Sequence, residues 1–283
     1  MTHKNPNLQL QEELAESTKE EIDKDIEQLR QESFRETLAR LFSLTEDVAS
    51  HDEIRARILD GGKFTGTNMI VLILAIFIAS AGLNTNSTAV IIGAMLISPL
   101  MGNILAMAYG TASVDKHIFG QFSIGFVAKI FISIAVSTLY FALSPIKTPT
   151  AELIARTSPG FTDVIIAICG GLAGIVGQTR KDKANNIIPG VAIATALMPP
   201  LCTCGYAIAN WRPDMLIHAF YLFSVNAYFI FLSSTWVLSI LQVPHVGSLS
   251  EKQWMAIRWR MFRNAALITI PTIAAGFFLA AGA

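Results

Sequence analysis

Lys129 and Asn226 are polar residues that lie deep inside two long apolar stretches, 97 positions apart. A lysine near the centre of a bilayer costs at least about 2.5 to 3.5 kcal/mol on insertion scales, so it normally faces a bundle interior or a wet cavity. No acidic residue lies at a comparable depth in any apolar stretch. The partners left for Lys129 are backbone carbonyl groups, water or an anionic ligand, unless the side chain extends to the membrane surface about 16 Å away. If Lys129 is charged and faces the interior, the site favours anions.

Proline interrupts two further apolar stretches at corresponding places. GAMLISPLM at residues 93–101 contains Pro99, and GVAIATALM at residues 190–198 is followed by Pro199 and Pro200. Proline removes a helical hydrogen bond, and in lipid the freed carbonyl group must find another partner. Matching interruptions in two halves of a membrane protein indicate a transport site, although a purely structural kink is the alternative. The candidate substrate-binding residues are Ser98, Pro99, Asn103, Lys129, Thr195, Pro199, Pro200 and Asn226.

Seven apolar stretches approach the roughly 20 residues that span a hydrocarbon core. With the N-terminus inside, eleven Lys/Arg residues lie in the inner connections and three in the outer ones, which favours a cytoplasmic N-terminus. The sequence therefore predicts an all-α, multi-pass protein of the inner (plasma) membrane. The predicted spans cover residues 66–83, 88–110, 118–143, 161–178, 187–209, 214–241 and 264–281.

A weak internal repeat has the same spacing of 97 residues. Gly93 matches Gly190, and Tyr109 matches Tyr206. Each unit contains three spans, and because three is odd, the second unit must enter the membrane from the opposite side, which makes the pair an inverted-topology repeat. The predicted parts are an acidic cytosolic helical arm (1–63), membrane repeat 1 (64–143), membrane repeat 2 (161–241), and an interfacial helix with the last span (250–283).

Composition excludes several classes of protein. The chain is 52% hydrophobic and 15% charged, with a mean hydropathy of +0.50, which is too apolar for an ordinary soluble domain. Residues 1–63 hold 15 acidic and 9 basic residues, and this acidity argues against nucleic acid or anionic lipid as a partner of the arm. The three cysteines are interpreted as buried thiols, and no catalytic or metal-binding motif is present. We therefore expect no enzymatic activity, no metal and no cofactor.

Two stretches carry a family resemblance. AVIIGAMLISPLM at residues 89–101 and IIPGVAIATALMPPL at residues 187–201 resemble the bacterial uncharacterised hydrophobic-domain family, domain of unknown function 389. The likeness covers roughly residues 64–240. It implies an integral membrane protein with several spans and no established activity.

Two functions stay open at this point. The first is a secondary transporter or channel for a small solute or ion, anionic if Lys129 is charged, with its site at the broken second and fifth spans. The second is a membrane scaffold or signalling module that recruits a cytosolic partner through its N-terminal arm. In either case the expected partners include membrane lipid and further copies of the same chain in a homo-oligomer, and exclude nucleic acid.

Overall fold

The computed structural model describes residues 48–158, 160–181 and 197–244, together with Trp259 and Arg263, which are helical and exposed. Within these ranges the fold is all helical, as predicted, and contains no strand beyond an isolated bridge between Val48 and Arg180. The described helices are α1 (His51–Gly62), α2 (Gly66–Asn84), α3 (Thr88–Ile97), α4 (Leu100–Ala112), α5 (Lys116–Leu143), α6 (Ala151–Ala155), α7 (Phe161–Thr179), α8 (Met198–Ala209) and α9 (Pro213–Ile240).

Four of the described helices, α2, α5, α7 and α9, are long and apolar enough to cross a membrane. Helices α3 and α4 pass the same test together as a fifth candidate, bent by 45° at the break between them. These elements coincide with the predicted spans one, two, three, four and six, which supports a multi-pass membrane protein. Residues 1–47, the first part of the span at 187–209 and the span at 264–281 lie outside the described residues, so the count of seven stays a prediction.

Side chains that the sequence marks as helix caps fix several helix starts. The Ser50 hydroxyl accepts from the Glu53 amide at the start of α1, which ends at Gly62. At the start of α7 the Asp163 carboxylate accepts from the Gly160 amide and so caps the helix. Asp115 accepts from two amides in the first turn of α5. Local chemistry therefore sets where these helices begin.

Helices α5 and α9 are the two longest described elements, at 28 residues each, and their bounds differ by 97 positions at both ends. Helix α5 packs against α2, α4 and α8, whereas α9 packs against α4, α7 and α8. The faces of α5 that carry Ile124, Phe131 and Leu143 are exposed, as expected of a helix in contact with lipid. The residues that α5 buries form one narrow stripe at helical spacing: Ile118, Phe122, Gly125, Lys129, Ser133, Ser137 and Phe141.

Hydroxyl groups tie three of these helices together inside the bundle. Ser80 on α2 donates to the Ser137 hydroxyl on α5, at 3.1 Å, and Ser137 donates to the carbonyl oxygen of Cys202 on α8, at 2.9 Å. All three residues are buried. Interhelical hydrogen bonds of this kind stabilise membrane bundles, where apolar side chains gain little by leaving lipid for a neighbouring helix.

Candidate functional site

The site begins at the break between α3 and α4, where Ser98 and Pro99 are non-helical. Ser98 is extended (φ −75°, ψ 125°) and Pro99 turns the chain (φ −85°, ψ 24°) before α4 begins. Proline has no amide hydrogen and its ring crowds the preceding turn, which accounts for the interruption at this place. The break leaves the first amides of α4 without helical acceptors.

Lys129 lies opposite this break on the buried stripe of α5. Its side chain has no exposed surface. The ammonium nitrogen Nζ donates to the carbonyl oxygen of Pro99, at 3.1 Å, and to Oδ1 of Asn103, at 2.5 Å. Of the protein groups considered from the sequence, the carbonyl group at the break accepts from Lys129, whose side chain lies buried inside the bundle. Among the described residues Lys129 has no ion pair, so its charge is bound by neutral oxygens alone.

Asn103 on α4 is held so that its oxygen faces Lys129. Its Nδ2 donates to the carbonyl oxygen of Phe122 on α5, at 3.2 Å, and this bond assigns the orientation of the amide. Gly125 leaves the space that the amide occupies, because a Cβ atom there would lie 3.1 Å from Nδ2. Asn103 is fully buried. One face of α5 therefore holds both hydrogen-bond partners of the Asn103 amide. The Lys129 ammonium group donates to its oxygen, and the Phe122 carbonyl group accepts from its nitrogen.

The described site residues of the second half do not form one hydrogen-bonded group. Pro199 and Pro200 are buried in the first turn of α8, and Thr203 donates to the Pro199 carbonyl oxygen at 3.0 Å. Asn226 on α9 is 4% exposed, and its Oδ1 has no hydrogen-bond partner among the described residues. Thr195 lies outside the described residues.

The structure therefore brings three of the predicted site residues into one group, Pro99, Asn103 and Lys129. No hydrogen bond within the described ranges joins this group to Pro199, Pro200 or Asn226. Ser98 adjoins the group through the chain, and its buried hydroxyl oxygen has no partner in the described part of the molecule. Helices α4 and α9, which carry Asn103 and Asn226, pack against each other.

Two glycines at the end of α1 are the part of this region that the sequence does not reveal. A Cβ atom on Gly102, next to Asn103, would overlap the carbonyl oxygen of Gly61. A Cβ atom on Gly62 would lie 2.8 Å from the Phe122 ring and 2.9 Å from the Gly102 oxygen. The end of α1 therefore lies against Gly102, which precedes Asn103 in the chain, and against Phe122, which accepts a hydrogen bond from Asn103. The only sequence signal is the glycine pair itself, which also reads as an ordinary helix stop.

Two thiols of α8 lie within hydrogen-bonding distance of backbone carbonyl oxygens. Cys202 Sγ lies 4.0 Å from the carbonyl oxygen of Ile76, and Cys204 Sγ lies 3.9 Å from that of Leu216. Over the described ranges, no group of three or more His, Cys, Asp or Glu side chains could hold a metal ion. The polar chemistry available at the break is that of an ammonium group, an amide, a hydroxyl and backbone groups.

Comparison with known proteins finds a family that matches the middle of the chain. The family described as "Domain of unknown function (DUF389)" matches residues 95–232, a range that contains the break, Lys129 and Asn226. An uncharacterised protein of Methanocaldococcus jannaschii is 26% identical over 213 residues, which cover 75% of this chain and 62% of that relative, less than two thirds of its length. This relative is archaeal, so the bacterial character that the resemblance implied is not confirmed. No solved structure matches the chain significantly. Residues 95–232 therefore match the DUF389 family, whose function is unknown.

Proposed function

We propose that the chain is a secondary transporter or channel for a small anion, which binds at the break between α3 and α4 beside Lys129. The observation that carries the proposal is the fully buried Lys129 ammonium group, bound within the described residues only by neutral oxygens of Pro99 and Asn103. A buried charge is costly unless an opposite charge compensates it. An ammonium group has three donors, and two are used here, so one is left for a ligand.

Two further groups at the break favour an anion over a cation. The first amides of α4, a helix of 13 residues, are free of helical acceptors, and the positive end of its dipole lies at the break. The Ser98 hydroxyl is buried without a partner in the described ranges and can donate. Broken helices that direct an N-terminus at an anionic group are a recurring design of secondary transporters.

The comparison of α5 with α9 supports the proposed inverted repeat. The seven buried residues of α5 correspond, 97 positions later, to seven residues that α9 also buries: Met215, Ala219, Leu222, Asn226, Ile230, Ser234 and Leu238. Helix α5 packs on α4 of its own half and on α8 of the second half. Helix α9 likewise packs on α8 of its own half and on α4 of the first half. In this proposal Asn226 takes the place of Lys129 in the second half, where Thr195, Pro199 and Pro200 complete the lining.

Two halves of opposite orientation can expose one site to each side of the membrane in turn. We keep the cytoplasmic N-terminus, the seven spans and the inner membrane as parts of this proposal, because the distribution of Lys and Arg favours them. The recruitment alternative depends on the arm, of which residues 1–47 lie outside the described structure.

Reconstitution tests the proposal. The full-length chain is incorporated into liposomes, and uptake of chloride, nitrate, formate, acetate and phosphate is compared with uptake by empty liposomes. We expect protein-dependent uptake of at least one monovalent anion, and none of sodium or potassium when the anion is held constant. Absence of uptake for every anion, with no shift of the melting temperature by any of them, would contradict transport. A chain without residues 1–47 should keep its uptake, whereas the scaffold alternative predicts that this deletion removes the function.

A further inference from the structure

Helix α1 touches the Lys129 site at its C-terminal end. Gly61 and Gly62 lie against Gly102 and the ring of Phe122. Gly102 precedes Asn103 in the chain, and the Phe122 carbonyl group accepts a hydrogen bond from Asn103. The contact is between backbones, because neither Gly62 nor Gly102 has room for a Cβ atom. The end of α1 therefore packs directly against two residues that adjoin Asn103, one in the chain and one through a hydrogen bond.

The middle of α1 and the residues that precede it are hydrogen-bonded to the end of α7. Arg57 donates through Nη1 to the carbonyl oxygen of Arg180, at 2.6 Å, and through Nη2 to that of Lys181, at 3.2 Å. The amide of Ala49 donates to the carbonyl oxygen of Thr179, at 2.8 Å. These acceptors lie at and just beyond the C-terminal end of α7, where carbonyl groups lack helical donors and a cation is favoured. Arg57 is thus the main polar link between α1 and α7.

Helix α1 has the features of an element that can detach. Its only large, fully buried side chains are Ile54 and Ile58, and the opposite face is exposed and charged. Three non-helical residues, 63–65, join it to α2 and can serve as a hinge. The elements that it links, α7 and α4, belong to different halves of the proposed repeat. A movement of α1 would therefore uncover the site and release a contact between the halves.

We propose that α1 is a strap that closes the Lys129 site on this side, and that solute reaches or leaves the site when Arg57 releases α7 and Gly61–Gly62 lift from Gly102. This inference rests on the proposed function, because it takes the Lys129 site as the solute site. It adds the regulation of that site: the strap sets the fraction of time for which the site is open.

The test measures access to the site and needs no solute. A cysteine at position 103 (Asn103→Cys), in a full-length chain whose native cysteines Cys169, Cys202 and Cys204 are changed to alanine, is labelled in lipid nanodiscs with a charged methanethiosulfonate reagent. Arg57→Ala is added to weaken the strap. Arg55→Ala is the matched control, because Arg55 lies on the same helix, is exposed and makes no hydrogen bond or ion pair within the described residues. A second reporter, Ser98→Cys, replaces a hydroxyl by a thiol and guards against a folding defect of the first.

We expect Arg57→Ala to raise the labelling rate about tenfold to a hundredfold, because two hydrogen bonds from a charged donor are lost. Arg55→Ala should leave the rate unchanged. In the converse experiment, a disulfide between Val48→Cys and Arg180→Cys, which face each other in the bridge, should slow labelling at position 103, measured by mass spectrometry of the peptide that contains it. The same chain, reduced with dithiothreitol and freed of the reductant before the reagent is added, should regain the faster rate. Equal labelling rates in the Arg57→Ala and Arg55→Ala chains, with no effect of the disulfide, would overturn the strap. Strap-dependent labelling in a chain that moves no anion would instead retain the strap and reject the proposed function.

Discussion

The rings of Phe126 and Phe223 stack, with their centroids 6.0 Å apart and their planes inclined by 23°. The two residues are 97 positions apart, and each lies three positions before the buried polar residue of its helix, Lys129 on α5 and Asn226 on α9. When a twofold rotation relates two repeats, equivalent residues contact each other only near the rotation axis. This contact is one that the proposed inverted repeat allows near its axis. In that repeat Lys129 and Asn226 lie on opposite sides of the axis, each about 4.5 Å along its helix.

The bond between Lys129 and Asn103 should appear as a strong energetic coupling. Asn103→Leu leaves the ammonium group with one acceptor and the Phe122 carbonyl without its side-chain donor, so we expect a loss of about 2 to 3 kcal/mol. Lys129→Met removes the charge itself and should cost less. In the double variant the Asn103→Leu change should cost about 1 to 2 kcal/mol less than it does alone. Thermal unfolding of the four proteins in one detergent measures the cycle, and additive effects would contradict the coupling.

Close packing of α8 on α5 should depend on Gly205. A Cβ atom there would lie 2.5 Å from Ser137 side-chain atoms and 2.7 Å from the Thr138 amide nitrogen. Gly205→Ala must therefore separate the helices and disturb the Ser137 hydrogen bonds, and we expect a loss of about 1 to 3 kcal/mol. Gly93→Ala is the matched control, because nothing lies within 4 Å of its Cβ position and alanine favours a helix. Equal melting temperatures for the two variants would show that α5 and α8 are less closely packed than described here.

The parts of this molecule that sequence predicts are those set by local chemistry. Apolar length identifies α2, α5, α7 and α9, and Pro99 alone fixes the interruption, because its ring and missing amide act on the same turn. The sequence limits the possible partners of Lys129 to a carbonyl group, water or an anion, because no carboxylate lies at its depth. The approach of Gly62 to Gly102 could not be predicted, because glycine has no side chain whose pattern would reveal a contact between distant segments. The position of Asn103 near the proline predicts a site residue. Its hydrogen bond to the Phe122 carbonyl group depends on how α4 faces α5, which the sequence does not reveal.

We expect Asn226 to lower the stability of the fold and to support anion uptake. Its buried Oδ1 has no partner in the described part of the chain, and such an oxygen costs about 1 to 3 kcal/mol. Asn226→Leu keeps the branch at Cγ and removes the unpaired oxygen, so the melting temperature should stay equal or rise. If Asn226 lines the solute path, anion uptake by liposomes should fall in the same variant. Unchanged uptake together with higher stability would remove Asn226 from the site.

The most direct test of the central claim compares Lys129→Met with Lys116→Met, which removes the same charge from the exposed first residue of α5. Both proteins are reconstituted at equal density, and the uptake of the anion that the unaltered chain transports is measured. The account predicts that Lys129→Met lowers uptake about tenfold to a hundredfold, because a hydrogen bond to a charged donor is lost, whereas Lys116→Met transports normally. Equal uptake by the two variants, both folded by thermal unfolding, would contradict an anion site at Lys129.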